Sequence, residues 1–134
     1  MNAQQANSSE LRDSALFKAL LAENHKEFNQ LRDKGETVSF AGAQLRGFDL
    51  RKFNLRGLDF RGSYLRNADL RGCDLRWTVI AGSSIREAKL SGTYFPDGLD
   101  PQEIMLSHLH GTRLRYQHID PPDDAHSGSM PDND

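Results

Sequence analysis

At 134 residues and a formal net charge of −2, the chain has room for one domain and lacks the charge excess of a general nucleic-acid binder or of a strongly acidic mimic. Its single cysteine, Cys73, excludes an internal disulfide, and no apolar run approaches the length of a membrane span. The polar start, Met-Asn-Ala-Gln-Gln-Ala-Asn, has no apolar signal core, so a soluble cytoplasmic protein is the expectation.

In chain order, residues 1–8 read as a disordered N-terminus and residues 9–37 as a helical cap. Ser9 can cap a helix over residues 9–34, with Glu10 and Asp13 in its first turn and Gly35 just past its end. Leu16, Leu20, Phe28 and Leu31 mark one apolar face. Residues 24–27 interrupt that stripe, which leaves two short helices open as an alternative.

Residues 38–97 are a repeat. A large apolar residue recurs at every fifth position: Phe40, Leu45, Leu50, Leu55, Phe60, Leu65, Leu70, Leu75, Ile80, Ile85, Leu90 and Phe95. A period of five fits neither a helix nor a strand, so the segment is a repeat architecture. Two positions before each centre the residue is mostly small or apolar. Two positions after it glycine dominates, which suggests a corner needing a positive φ or leaving no room for a side chain. The remaining positions are polar and face water.

Residues 98–119 read as a C-terminal cap. Asp100 can cap a short helix over residues 100–110, Pro101 suits its first position, Glu103 can complete a capping-box-like pair, and Gly111 ends it. Residues 120–134 have almost nothing apolar to bury and read as a disordered acidic tail.

The stretches Ala68-Asp69-Leu70-Arg71-Gly72 and Cys73-Asp74-Leu75-Arg76-Trp77 closely match a known motif: a small residue, Asp or Asn, Leu or Phe, then two variable positions. The segment therefore resembles the pentapeptide-repeat family. The resemblance implies a mainly β fold: a right-handed quadrilateral β-helix of about three coils, twenty residues per coil, with the flanking helices as caps on its open ends. Phe48, Phe53 and Leu58 depart from the small residue that the family prefers there. They are expected to plug the N-terminal end beneath the helical cap.

With twenty residues per coil, positions twenty apart share a face. On three faces arginine has an acid or amide close by: Arg51 with Asp49, Arg71 with Asp69, Arg76 with Asp74, Arg61 with Asp59, and Arg56 with Asn54. Exposed pairs of this kind contribute only about 0–1 kcal/mol each and describe a solvated surface. Arg46, Arg66 and Arg86 are different. Their companions are Gln44, Tyr64 and Ser84, and Glu87 is the one counter-charge near them. An arginine column with a tyrosine in it suits a carboxylate-rich or phosphate-bearing partner. Trp77 and Val79, at positions expected to point outward, form a second candidate contact, with packing against the returning C-terminal segment as the alternative.

No catalytic set emerges. His108 and His110 are two apart on a helix and point away from each other, Cys73 sits at an inward position, and Ser83 and Ser84 have no His-Asp partners nearby. No cofactor and no metal are expected. The function these residues favour is a non-catalytic protein-binding scaffold or adaptor, and the partner that suits the arginine column is a protein with an acidic surface. Weak binding of nucleic acid or another polyanion through the column is one alternative. A DNA mimic acting on DNA gyrase, as some longer family members are, is another, disfavoured by the short coil and the positive charge of residues 38–97. The oligomeric state stays open, with Leu114–Ile119 as a candidate dimer contact.

Overall fold

The computed structural model describes residues 7–120; residues 1–6 and most of the expected acidic tail lie outside it. Among the described residues four helices form: α1 (Ser9–Asp13), α2 (Ala15–Leu21), α3 (His25–Asp33) and α4 (Pro101–His110). The first three divide the span of the expected N-terminal helix because new caps arise inside it. Ser8, not Ser9, accepts from the Leu11 amide, Ser14 accepts from Phe17, and Asn24 accepts from Glu27. Between α2 and α3, Glu23 takes a positive φ of 56°, which breaks the path.

The repeat segment turns at the centres from Phe40 to Leu90. There the carbonyl of the apolar centre accepts from the amide three residues on, as in Phe40 to Ala43, Leu45 to Phe48 and Leu70 to Cys73. Except at Trp77, the third residue of these turns has the positive φ that a type II turn requires, such as 73° at Gly72. Lys52, Asn67 and Glu87 hold the same conformation without being glycine.

Successive coils stack in a register near twenty residues. The amides of Phe40, Leu45 and Leu50 donate to the carbonyls of Asp59, Tyr64 and Asp69, and those of Phe60, Leu65 and Leu70 to Val79, Ser84 and Lys89. The reverse bonds run from Tyr64 to Ala43, Asp69 to Phe48 and Ser84 to Ser63. Even so, the expected mainly β fold, a quadrilateral β-helix, is overturned. Among the described residues there is no strand and no sheet, only isolated parallel bridges such as Gln44↔Tyr64, Tyr64↔Ser84 and Asp49↔Asp69. The reason lies in the repeat itself. Two of every five residues are spent on a turn, so a paired residue has no paired neighbour with which to extend a ladder.

The centres fill the interior, with Phe40, Leu45, Leu50, Leu65, Leu70, Ile80 and Ile85 almost wholly buried. The Phe40 and Phe60 rings stack at 4.7 Å, one coil apart. The small residues two before the centre do more than save space. Cys73, Thr78, Ser83 and Thr93 donate their Sγ or Oγ to the carbonyls of Leu50, Leu55, Phe60 and Leu70 in the preceding coil. Their polarity is therefore satisfied inside the stack.

The helices close the first coil. Phe53 meets Phe28 of α3 edge-on at 5.1 Å, Phe48 stacks on Phe17 of α2 at 6.5 Å, and Leu58 is buried. Asn29 of α3 donates to the Lys52 carbonyl and accepts from the Asn54 amide, while Arg32 donates to the carbonyls of Asn54 and Arg56. At the other end, α4 and the segment after it close the last coil. Gly82 donates to the Leu114 carbonyl, Glu87 to that of His108, Ile85 to Ser107 Oγ and Ile80 to the Tyr116 hydroxyl. Asp100 and Pro101 begin α4 and Gly111, at φ 75°, ends it. Glu103 does not return to the cap; its carboxylate holds Arg115 at 2.6 Å.

Candidate protein-binding face

Four of the outer-wall arginines are locked by one repeated motif. In each of Asp49–Arg51, Asp59–Arg61, Asp69–Arg71 and Asp74–Arg76, the carboxylate accepts from the arginine's own amide, from Nε and from a terminal nitrogen. The aspartate bridges two coils through its backbone, and its side chain reaches two residues ahead, so the spacing alone produces the fork. The hydrogen bonds from Arg71 hold the Asp69 carboxyl far below the usual carboxylate range, and those from Arg51 and Arg61 lower Asp49 and Asp59. At Asp74, burial pushes the carboxyl up, but the bonds from Arg76 outweigh it and the net shift is downward.

The bridges Gln44↔Tyr64↔Ser84 set a different column, and Arg46, Arg66 and Arg86 each follow it two residues on. The structure thus brings Arg46, Tyr64, Arg66 and Arg86 onto one side of the stack. All four are exposed. Arg66 Nε lies 3.5 Å from Glu87 Oε1, a long and solvated contact. Among the described residues, the guanidinium groups of Arg46 and Arg86 meet no carboxylate within ion-pairing distance. Arg46 also borders a shallow cleft of about 360 Å³ between the end of α2 and the first coil, with Leu20, Leu21, Glu23 and Phe48.

Two neighbours of this column were not legible in the repeat. Arg113 follows α4 and lies 49 residues from Tyr64. One of its terminal nitrogens donates to the Tyr64 hydroxyl at 2.8 Å, the other to the Gly82 carbonyl at 3.0 Å, and its guanidinium covers the Tyr64 ring at 5.3 Å. Gly111 packs on the stem of Arg86, where an added Cβ would lie 3.2 Å from Arg86 Cδ. The C-terminal segment therefore adds a fourth guanidinium and fixes the tyrosine. No periodic signal points to Arg113, because it lies outside the repeat.

Trp77 and Val79 do not join the column. Both are half-buried. Val79 bridges Asp59 on the adjoining side, and the next amide, Ile80, is held by Tyr116. Val79 therefore lies next to a residue that is tied to the returning segment. His108 is turned inward, with Nε2 3.0 Å from the Ala88 carbonyl, and His110 is exposed. Burial pushes the Cys73 thiol up to about 12, so it is an inert core group.

A stack of five-residue turns, in a register of twenty and closed by helices at both ends, is a repeat architecture. The model of pentapeptide repeats matches residues 39–76 and 59–95, with eight copies, so this segment is built of pentapeptide repeats. No curated protein and no solved structure matches the chain. No helix among the described residues is long and apolar enough to cross a membrane.

Proposed function

We propose that the chain is a non-catalytic protein-binding adaptor that receives an acidic protein surface on the side carrying Arg46, Tyr64, Arg66 and Arg86, extended by Arg113. One observation carries this reading. The wall uses the same side chain in two ways: Arg51, Arg61, Arg71 and Arg76 are each spent on an aspartate two residues back, while Arg46 and Arg86 have no such partner. Stacked guanidinium groups about 5 Å apart repel one another by roughly 1 kcal/mol in water. Carboxylates supplied from outside relieve that repulsion and accept forked hydrogen bonds. Trp77 and Val79 stand outside this surface.

The test is capture from the native cell by wild type and by an Arg46/Arg66/Arg86→Glu variant. A specific protein held by wild type, weakened by salt and lost in the variant, is the expected result. A protein retained equally by the variant removes this side from consideration. Nucleic acid alone, held by wild type and released by salt, selects the polyanion reading instead.

A further inference from the structure

The N-terminal helices complete the first coil unevenly. In later coils the amide just before a centre donates to the preceding coil, as in Tyr64 to Ala43, Asp69 to Phe48 and Ser84 to Ser63. Gln44, Asp49 and Asn54 hold the equivalent places in the first coil, where no earlier coil exists. Asn7 and Asn29 supply side-chain carbonyls to Gln44, at 2.8 Å, and to Asn54, at 2.7 Å. Asp49, on the side between them, receives no such group. Among the described residues its amide meets no acceptor and its carbonyl no donor, while its carboxylate is engaged by Arg51. Asp49 is exposed, and an open backbone pair of this kind is the contact through which an extended peptide adds to an edge.

The ground beside Asp49 is hollowed. The cleft of about 360 Å³ at the end of α2 has Leu20, Leu21 and Phe48 in its wall, and a smaller hollow of about 180 Å³ shares Glu23 and Asp49 with it. Leu21 is 56 % exposed. Arg46 and Glu23 line the cleft with opposite charges, but form no ion pair with each other or with any other described residue. Glu23 also breaks a local rule. The Asn24 amide reaches back to the Ala19 carbonyl to end α2, and Glu23 takes the left-handed position just before it, at φ 56°. Glycine fills that position without strain, so capping alone does not explain a charged side chain there.

We infer that this rim binds a short extended peptide in which an apolar residue stands between an acidic and a basic one. The peptide main chain adds one more bridge at Asp49, of the kind that joins the coils. Its apolar side chain covers Leu21 and Phe48, its carboxylate meets Arg46 and its cation meets Glu23. The two cleft charges cancel, so a polyanion would gain at Arg46 and lose at Glu23. The site shares Arg46 with the function proposed above but does not rest on it, since Arg66 and Arg86 do not border the cleft.

The test titrates acetyl-Asp-Leu-Lys-amide into the isotope-labelled full chain and follows backbone amide shifts. Saturable shifts are expected at Leu21, Glu23, Gly47 and Asp49, with a Kd of about 1 mM for so small a contact. Acetyl-Asp-Gly-Lys-amide should bind about tenfold more weakly. Leu21→Ser should weaken the first peptide about fivefold and keep the melting curve, because that side chain is largely exposed. Glu23→Gly should melt no lower than wild type and bind about fivefold more weakly. Arg66→Glu/Arg86→Glu, which dismantles the arginine side, should leave the titration unchanged. Absent shifts overturn the inference, as do full binding by Leu21→Ser or Glu23→Gly and a lower melting point in Glu23→Gly. Equal shifts with free leucine overturn it too, because the Asp49 edge would then be idle. So do the same shifts on raising the protein concentration alone, which would put a second copy in the cleft. Loss of binding in the Arg66/Arg86 variant would return the contact to the arginine side and equally overturn it.

Discussion

Lys52 and Gly72 occupy the same corner one coil apart, and both have a φ of 73°. That conformation costs a residue with a Cβ about 1–2 kcal/mol, while a glycine loses more entropy on folding. Nothing lies within 4 Å of an added Cβ at Gly72, so Gly72→Ala tests backbone strain without a clash. It should lower stability by about 1 kcal/mol, and Lys52→Gly should raise it by up to about 1 kcal/mol, both read in urea titrations. Opposite signs at one corner are the signature; equal signs would mean that the left-handed turn does not limit stability. Asp69 offers a second test. Its folded carboxyl is held below its unfolded value of about 3.9, so its contribution is complete above about pH 5 and fades as pH falls through the folded value. Asp69→Asn should therefore be less stable than wild type at pH 7, with the gap narrowing below about pH 4. A gap that stays constant down to pH 2 would show that the Arg71 and Arg51 contacts do not carry it.

α4 is held by atoms that a hydrophobic pattern does not register. Ser107 Oγ is the acceptor for the buried Ile85 amide, so Ser107→Ala leaves that amide without a partner and should cost about 1–3 kcal/mol in thermal or urea unfolding. An unchanged stability would mean that water reaches Ile85. The same residue marks how far the sequence carries. The corners were legible, because a glycine in most repeats at a five-residue period is a local demand of the turn. So were the forked aspartate–arginine pairs and the caps at Asp100 and Gly111, all set by neighbours in sequence. The sheet was not. Parallel pairing was expected from the resemblance, but whether a bridge grows into a strand depends on the turn immediately beside it. Nor was the orientation of α4, since Ser107 and His108 make sense as inward residues only once the unpaired amide of Ile85 and the carbonyl of Ala88 are in view. Arg113 covering Tyr64 joins residues 49 apart, and no spacing within the repeat anticipates it.

In the whole molecule, each coil bonds mainly to the coil before and the coil after, so stability is distributed along the stack and not vested in one central nucleus. The middle coil has backbone partners on both sides: Leu65 donates to Ser84 and Tyr64 to Ala43. The last coil depends on substitutes, the Tyr116 hydroxyl for Ile80 and Ser107 for Ile85. Opening is therefore expected to begin at the C-terminal end and to reach the middle only with global unfolding. Tyr116→Phe isolates the point, because it deletes one acceptor and keeps the ring. Amide hydrogen exchange at Ile80 should accelerate about tenfold or more, while Leu65 and Leu70 keep their wild-type rates. Alkylation of Cys73, whose thiol is shielded beneath the Leu50 carbonyl, should stay as slow as in wild type. Uniform acceleration at Ile80, Leu65 and Leu70 would instead mean that the stack opens as one unit. In that case a partner docked on the arginine side would stabilise every coil equally, and not chiefly the residues beneath it.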